Sequence, residues 1–375
     1  MERRNIGILG ATGAVGQRFI QLLADHPWFN ITWLAASDRS AGKTYAEACH
    51  WRLDTPLPAR IAKMVLQPNT PEANAELPRI IFSSIDAPIA RELELKFAAA
   101  GCAVISNSSA FRMAPDVPLV VPEVNADHLE MIENQATRKT SGGYLVTNPN
   151  CCAIGLVLPL APLQSRFGIE KLFVSTMQAV SGAGYPGVAS LDILGNVIPY
   201  IKNEEEKLQE EVGKLLGRLA GNGGAHVAML DAKLSAHCNR VAVVDGHTEC
   251  VSIKLRKPAT HEQILAAWAD FQPLQGKGLD GLHLPSAPLA PVEYAPEETR
   301  PQPRHDLMRG NGMATTVGRL RPCSLFDWKF TLLSHNTIRG AAGAAILNAA
   351  VLAVLGKFDF RSFPALHSAS ELVTA

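Results

Sequence analysis

The sequence has no excess of charge of either sign, since 35 acidic and 35 basic side chains balance across its 375 residues. A protein that binds nucleic acid or an anionic membrane would carry a clear positive excess, so we expect neither partner. Apolar runs also stay well short of the ~20 residues that span a bilayer. A strand-like segment begins within the first few residues, so we expect no signal peptide.

Cysteine pairing is missing as well. The seven cysteines are an odd number, and no two of them stand in CxxC spacing. Neither a disulfide framework nor a zinc ribbon is therefore indicated, and we predict no metal site and a reducing, cytoplasmic location. With 47% hydrophobic residues, the chain is long enough to bury the core of two domains or of one large domain.

A glycine-rich turn follows the first predicted strand. The apolar run Asn5–Leu9 leads into GATGAVG, and helical apolar spacing begins at Gln17. Glycines at this junction allow a tight turn and a close approach to a pyrophosphate, which then lies at the helix N-terminus. The sequence therefore predicts a dinucleotide site formed by the GATGAVG residues: Gly10, Thr12, Gly13, Ala14, Val15 and Gly16.

The second predicted strand ends where the adenosine ribose is expected. Asp38 in this turn favours NAD, because a carboxylate accepts hydrogen bonds from a free 2′-hydroxyl. Ser37, Arg39 and Ser40 favour NADP, because hydroxyls and a guanidinium suit a 2′-phosphate. We predict NADP, although a solvated turn of mixed charge is the alternative.

Two further predicted strands, 79–84 and 103–107, end in small polar residues. In an open parallel sheet the ligand lies beyond the carboxyl ends of the strands, so Ser83 is predicted to face the cofactor. Arg112 follows shortly after the second of these strands. It is either a surface residue or a group that binds an anion.

The candidate nucleophile stands between a strand and a helix. The apolar run 145–147 ends in Asn148-Pro149-Asn150, Cys151 and Cys152 follow, and helical spacing begins at Ala153. Unpaired backbone N–H groups at a helix start favour an anion, so a thiolate at Cys151 is stabilised and nucleophilic near neutral pH. The alternative is that Cys151 is a small buried hydrophobe.

The second half of the chain supplies groups that could bind a substrate. The strand-like run 171–180 ends in Ser181-Gly-Ala-Gly184, where Gly182 allows close backbone approach to a ligand. We predict one long helical region over 191–219, with Glu204 and Lys207 on one face. These two form either a solvated ion pair or a grip on a zwitterionic ligand.

Two more candidates flank the turn Asp245-Gly246-His247, which separates two strand-like runs. His247 can take and return a proton near neutral pH. Arg240 can bind a carboxylate through two parallel hydrogen bonds. Near the end, a helix of small residues over 344–353 is expected to pack on the first domain beside the cofactor.

Taken together, these stretches resemble the aspartate-β-semialdehyde dehydrogenases, particularly the archaeal and fungal branch. The resemblance covers nearly the whole chain. It rests on GATGAVGQRF at 10–19, AASDRSAGK at 35–43, SNSSAFRMAPDVPLVVPEVN at 106–125, TNPNC at 147–151, QAVSGAGYPG at 178–187, NEEEK at 203–207, NRVAVVDGHT at 239–248 and HNTIRGAAG at 335–343.

The resemblance implies a role for each matching residue. It makes Cys151 the nucleophile, Gln178 the group that orients the acyl intermediate and His247 the general acid/base. It implies that Arg240 holds the substrate carboxylate, that Glu204 lies near the amino group, and that Lys207 and Arg112 bind phosphate, with Asn150 adjoining. The NADP site takes in the 10–16 and 37–40 turns and Asn336, and Ser181 and Gly182 are predicted beside it. Cys152 departs from the Ser or Thr usual in the family, which could alter the reactivity of the thiolate.

The implied reaction is the NADPH-dependent reduction of L-aspartyl-4-phosphate to L-aspartate-4-semialdehyde, with release of phosphate, in lysine, threonine and methionine synthesis. A malonyl-CoA reductase or another acyl-phosphate reductase on the same scaffold is the alternative. We expect an α/β protein with a Rossmann-like, doubly wound NADP-binding domain at 1–148 plus 333–375. An α+β catalytic domain with a mixed sheet is expected at 149–332, forming a homodimer or homotetramer.

Overall fold

A computed structural model describes residues 3–72, 77–221, 223–274, 279 and 284–359. Within these residues the strands form two six-stranded sheets and one two-stranded sheet. The strands are β1 Arg4–Leu9, β2 Phe29–Ala36, β3 Gln67–Pro68, β4 Ile80–Ser83, β5 Ala103–Ser106, β6 Tyr144–Thr147, β7 Ile169–Gln178, β8 Arg218–Ala220, β9 His226–Ala228, β10 Lys233–Arg240, β11 His247–Leu255, β12 Val292–Ala295, β13 Thr315–Pro322 and β14 Trp328–Ser334.

The helices lie mainly between the strands of the first sheet and against one face of the second. They are α1 Ala14–Leu23, α2 Tyr45–Ala48, α3 Ala59–Ala62, α4 Ala87–Ala99, α5 Pro122–Asn125, α6 Ala136–Thr140, α7 Cys151–Phe167, α8 Ser190–Ile193, α9 Glu204–Leu215, α10 His261–Ala269, α11 Pro303–Asp306 and α12 Gly343–Val354. Short 3₁₀ segments cover Ala126–Asn134, Val180–Ala183 and Arg309–Gly312, and a π-helical turn covers Ile338–Ala342.

The first sheet is parallel throughout and has the strand order β3-β2-β1-β4-β5-β6. This is the doubly wound order of dinucleotide-binding domains. In such domains the ligand binds in the crevice outside the carboxyl ends of the strands, at the point where the strand order reverses, which here lies between β1 and β4. Ile6, Ile8 and Phe82 are fully buried between the sheet and its helices. Each such side chain contributes roughly 1.5–3 kcal/mol relative to an exposed one. The predicted Rossmann-like fold is confirmed.

The second sheet is mixed, with the order β10-β7-β11-β14-β13-β12. β10 runs parallel to β7 and pairs Arg240 with Gln178, whereas β11 runs antiparallel to β7 and pairs Thr248 with Met177. The ends of β7 and β10 and the start of β11 therefore meet at one edge of the sheet. This register collects Gln178, Arg240 and His247 at that edge.

The predicted long helix over 191–219 is wrong. The chain forms the short helix α8, then a non-helical segment over 194–203, and only then α9. Gly195 has a φ of +68°, and Pro199 has no backbone N–H to continue a helix. Asn203 then enters α9 from the left-handed region with a φ of 58°. Glu204 thus begins a helix rather than lying in the middle of one.

The predicted C-terminal helix is present as α12, whose Ala345, Leu347 and Ala349 are buried in the core of the first sheet. Residues 360–375, which belong to the predicted first domain, lie outside the described residues. The division into a first domain at 1–148 plus 333–375 and a second domain at 149–332 stays a prediction. The strand β14 of the mixed sheet ends at Ser334, just beyond the predicted end of the second domain. All seven cysteines are free thiols. Among the described residues, no helix is both long and apolar enough to cross a membrane.

Candidate active site

The site is built around the first turn of α7, which Asn150 caps. The Oδ1 of Asn150 accepts hydrogen bonds from the backbone N–H groups of Cys152, at 2.8 Å, and Ala153, at 3.3 Å. A capping asparagine satisfies N–H groups that would otherwise lack a partner and fixes the point where the helix begins. Cys151 is therefore the first residue of α7, at the positive end of the helix dipole.

Cys151, at the start of α7, is in direct contact with His247, at the start of β11. The Sγ of Cys151 lies 3.1 Å from the Nε2 of His247. The backbone N–H of Ala179 donates to Nδ1 of the same ring at 3.1 Å. Because Nδ1 accepts a hydrogen bond, the hydrogen-bond network assigns the proton of the neutral ring to Nε2, facing the sulfur. The pair combines a nucleophile with a proton-carrying group.

The surroundings favour the thiolate of Cys151. The thiol of Cys152 does most to hold the pKa of Cys151 well below its usual range, and His247 and Arg112 add to the effect against the opposing influence of burial. Cys151 keeps part of its surface accessible, whereas Cys152 is fully buried. The accessible thiol is thus the one whose thiolate is stabilised.

Gln178 and Arg240 lie next to this pair and are almost fully buried. The Nη1 of Arg240 donates to the Ala179 carbonyl at 2.7 Å. A Cβ built on Gly182 would lie 3.0 Å from that Nη1 and 3.1 Å from the Cε1 of His247. A larger residue would press on both groups, so glycine suits the close approach of the 180–183 turn that the sequence predicted.

Glu204 and Lys207 do not form an ion pair with each other. Glu204 is buried, and its Oε1 accepts a hydrogen bond from the Nδ2 of Asn150 at 2.7 Å. Lys207 is half-buried and has no ion-pair partner among the described residues. The capping residue of the nucleophile's helix is therefore joined directly to the acidic start of α9.

Arg112 lies inside the protein rather than on its surface. Its Nη1 pairs with the Oε1 of Glu211 at 2.9 Å, and its Nη2 donates to the Asn107 carbonyl at 2.8 Å. The Nε of Arg112 is buried without a hydrogen-bond partner in the described part of the chain. The other oxygen of Glu211 accepts from the backbone N–H of Asn150 at 2.5 Å. This network connects Arg112 to the start of α7.

The glycine-rich turn has the geometry that a dinucleotide requires. Gly10 has a φ of +74°, and a Cβ on Gly16 would lie 2.3 Å from the Gly10 carbonyl oxygen. Gly13, the residue before α1, provides no side-chain cap, and Ala14 and Val15 begin the helix. The first N–H groups of α1 are thus free of side-chain partners and can bind a pyrophosphate. The Thr12 carbonyl is already bonded to Gln17.

The remaining predicted cofactor residues lie in different environments. Ser37 and Arg39 are exposed and Ser40 is half-buried in the turn after β2. Ser83 is fully buried, so its side chain does not open onto the surface. Asn336 donates to the Ser181 hydroxyl at 2.8 Å and accepts from the Gly246 N–H at 2.8 Å, which ties the 180–183 turn to the residue before His247.

The sequence interpretation missed three residues that surround the nucleophile. Glu211 bridges Arg112 and Asn150, and Gly340 lies so close that its Cβ would come 2.7 Å from the Cβ of Cys151. Glu249 is fully buried on the same face of β11 as His247. Its position two residues after His247 was a signal, because alternate residues of a strand share a face.

Cys151, Cys152 and His247 also form a group whose side-chain ligand atoms all lie within 4.8 Å of one another. A metal ion there would occupy the thiolate that the helix start and His247 favour as a nucleophile. We therefore interpret the group as a catalytic cluster. The absence of a metal cofactor stays a prediction.

Two family models match the chain. Residues 5–132 match the NAD-binding domain of semialdehyde dehydrogenases, and residues 160–339 match the dimerisation domain of the same family. The first range contains the parallel sheet up to β5, and the second contains the mixed sheet. The two matches thus follow the two sheets.

Close relatives carry one activity name. The chain is 48% identical to aspartate-semialdehyde dehydrogenase of Archaeoglobus fulgidus, over 93% of this chain and 98% of the relative. It is 49% identical to the enzyme of that name from Methanothermobacter thermautotrophicus, with the same two coverages. A crystal structure of aspartate semialdehyde dehydrogenase with NADP from Candida albicans matches with a TM-score of 0.86 and 42% identity, over 94% of this chain and 99% of that one.

Proposed function

This chain belongs to the aspartate-semialdehyde dehydrogenase family, and on that premise we propose that it reduces L-aspartyl-4-phosphate to L-aspartate-4-semialdehyde through a thioester on Cys151. The observation that carries the proposal is the 3.1 Å contact between Cys151 Sγ and His247 Nε2 at the capped start of α7. A thioester accepts a hydride far more readily than a carboxylate does, so the covalent step divides one difficult reduction into two easier ones.

The first step is the attack of the Cys151 thiolate on the acyl phosphate. The C–S bond forms, the bond between the acyl carbon and the phosphate oxygen breaks, and phosphate leaves. The buried amide of Gln178, at the end of β7, is suited to orient the acyl oxygen. The first N–H groups of α7 add positive charge beside the developing oxyanion.

Arg240 and Glu204 are the groups we assign to the amino-acid end of the substrate. Arg240 is buried at the sheet edge near His247, where a guanidinium can form two parallel bonds to the α-carboxylate. Glu204 is held by Asn150 and provides a negative charge for the α-amino group. An acyl donor without an amino group, such as malonyl-CoA, would leave that charge without a partner.

Arg112 and Lys207 are the groups we assign to the phosphate. Arg112 has a buried Nε without a partner within the described chain, in addition to its ion pair with Glu211. Lys207 is half-buried on α9, one turn from Glu204. Their positive charges favour binding of the dianion and its departure as free phosphate.

NADP is the proposed cofactor, and when bound it supplies the hydride. The turn over 10–16 and the uncapped start of α1 would hold its pyrophosphate. Ser37, Arg39 and Ser40 would hold the 2′-phosphate, and Ser181, Gly182 and Asn336 are proposed to lie along the remainder of the site, whereas the predicted Ser83 is buried at the end of β4 and offers it no exposed side chain. Arg39→Gln is expected to raise the KM for NADPH at least tenfold and to leave the KM for NADH unchanged.

His247 is the proposed acid/base group beside the sulfur. Its Nε2–H faces Cys151 and, as the proposed acid, is placed to donate a hydrogen bond to the oxyanion that forms when the hydride adds to the thioester. The C–S bond then breaks as the oxyanion becomes the aldehyde carbonyl, so the aldehyde leaves, the thiolate is restored and His247 keeps its proton. Lysine, threonine and methionine synthesis is the proposed role of this reaction.

A homodimer through the second sheet is the proposed assembly, and a homotetramer remains an extension of it. Side chains along β7 alternate between buried and half-exposed, and on the outward face Phe173 contacts the exposed His237 of β10. This face lies within the match to the family's dimerisation domain. A cytoplasmic location is proposed from the free thiols that the site requires.

The phosphate-dependent reverse reaction tests the proposal. Wild-type protein given aspartate semialdehyde, phosphate and NADP is expected to form NADPH, and Cys151→Ala is expected to lose at least 10³-fold in kcat. Cys250→Ala is the matched control, because Cys250 is exposed on the other face of β11. Full turnover by Cys151→Ala would refute the nucleophile. Initial rates with aspartyl phosphate and with malonyl-CoA separate the proposed substrate from its alternative.

A further inference from the structure

Behind the nucleophile lies a buried pair that the mechanism does not use. Cys152 and Glu249 have no exposed surface. The sulfurs of Cys151 and Cys152 and a ring nitrogen of His247 all lie within 4.8 Å of one another. The two sulfurs are thus neighbours, which allows the thiol of one to interact with the thiolate of the other.

Glu249 lies close to both cysteines in an environment with few donors. Neither of its carboxyl oxygens has a hydrogen bond of ordinary geometry within the described residues, and the nearby Cys152 thiol only partly offsets the effect of burial on its pKa. The neighbouring strands place Thr176 of β7 and Leu332 of β14 opposite it in the register. Gly155 of α7 leaves room here, since a Cβ on it would lie 3.8 Å from the Oε1 of Glu249 and 2.4 Å from the hydroxyl of Ser334.

Buried carboxylates without donors are costly, so such a group keeps its proton. Burial, followed by the charge of Cys151, raises the pKa of Glu249 well above its usual range. Burial likewise raises the pKa of Cys152, while that of Cys151 is lowered. Neighbouring titratable groups with pKa values pushed in opposite directions have divided roles.

The other charged and titratable groups around this pair come from each element packed against it. Cys151 belongs to α7, His247 to β11, Glu204 to α9 and Cys238 to β10, and Arg112 approaches from the loop before α5. Glu204 raises the pKa of Glu249 further, and Arg112 favours the Cys151 thiolate. Within the described residues, the groups that act on Glu249 are Cys151, Cys152 and Glu204, and none of them is a cation.

We propose that Cys152 and Glu249 are positioning residues for the nucleophile: the Cys152 thiol donates its hydrogen to the Cys151 sulfur, and Glu249 remains a neutral carboxylic acid behind it. The cluster then carries a single negative charge, which lies on Cys151. This inference rests on the proposed function for the role of Cys151. It adds that Cys152, the residue after the nucleophile, acts as a hydrogen-bond donor and does not serve packing alone.

The test titrates Cys151 in the full-length, substrate-free protein by the pH dependence of its alkylation with iodoacetamide, with Cys151→Ala as the blank. Cys152→Ala is expected to raise the alkylation midpoint by about one pH unit, which is a tenfold loss of thiolate below the midpoint. Cys152→Ser keeps a donor and is expected to shift the midpoint by less than half as much. Cys238→Ala, a nearby buried cysteine, is the control and is expected to leave it unchanged.

Glu249→Gln separates the two protonation states. If Glu249 is neutral, the amide is a close substitute and the midpoint of Cys151 stays within a few tenths of a pH unit. A midpoint lowered by a full unit would mean that Glu249 was an anion repelling the thiolate, and it would overturn the proposal. An unchanged midpoint in Cys152→Ala would overturn it as well.

Kinetics distinguish positioning from a merely structural role. In Cys152→Ala the acidic limb of the kcat profile is expected to move with the alkylation midpoint, while the KM for the acyl phosphate is unchanged. A loss of thermal stability with an unmoved pH profile would assign Cys152 to packing alone. Because the alkylation needs no substrate, a wild-type protein without turnover would refute the proposed function and leave this inference open to its own test.

Discussion

Asn150 joins the helix start to the substrate-binding region, and replacing it should affect stability in two separable ways. Asn150→Ala removes the cap acceptor for two N–H groups, which costs about 1 kcal/mol. It also removes the hydrogen bond to the buried Glu204 carboxylate, and a bond to a charged group contributes roughly 1.5–3 kcal/mol. The free energy of unfolding is therefore expected to fall by about 2.5–4 kcal/mol.

Asn150→Ser resolves the two contributions. A serine keeps the cap but is too short to reach Glu204, so it should recover about 1 kcal/mol relative to alanine. Asn150→Asp keeps the cap and instead places a carboxylate against Glu204, so it should raise the alkylation midpoint of Cys151. Urea denaturation of wild type and the serine and alanine variants is expected to give decreasing stability in the order wild type, Asn150→Ser, Asn150→Ala. Equal stability of the serine and alanine variants would refute the capping role.

Three further predictions concern regions away from the nucleophile. Lys214→Met should destabilise the protein by several kcal/mol in urea denaturation, because its Nζ donates to three carbonyls at 2.8 Å and the methionine leaves them without that partner. His26 is buried and its pKa is lowered to about 4, chiefly by burial, so the unfolded chain binds more protons as the pH falls from 6.5. Thermal stability should therefore decline as the pH falls from 6.5 to about 4, and His26→Gln should lessen this decline. Gly16→Ala should lower both stability and NADP affinity, since its Cβ would meet the Gly10 carbonyl, whereas Gly13→Ala, whose nearest contact is 3.4 Å, should lose affinity alone in calorimetric titration.

Local signals in the sequence predicted the nucleotide-binding half well. The strand, glycine turn and helix of residues 5–23 follow from apolar periodicity and from the conformations that glycine allows, and Gly10 and Gly16 have the predicted geometry. Cys151 at a helix start follows from an apolar run that ends in Asn-Pro-Asn. Such features depend on neighbours in the chain, which the sequence displays directly.

Contacts between distant segments could not be read in the same way. Glu211 was one of several acidic residues on an amphipathic helix, and only the fold brings it to Arg112 and Asn150. The long helix over 191–219 failed because Gly195 and Pro199 interrupt it, although the glutamate-rich segment beyond them is helical. Glu249 shares a strand face with His247, yet its burial depends on α7 lying across the sheet.

The most direct test of the whole account is the covalent intermediate itself. Wild-type protein mixed with aspartyl phosphate in the absence of NADPH, quenched in acid and digested, should carry an aspartyl thioester on the peptide that contains Cys151, with release of one equivalent of phosphate. Adding NADPH before the quench should remove the adduct and yield the semialdehyde. Steady turnover with no adduct on Cys151, or an adduct on another cysteine, would contradict the mechanism.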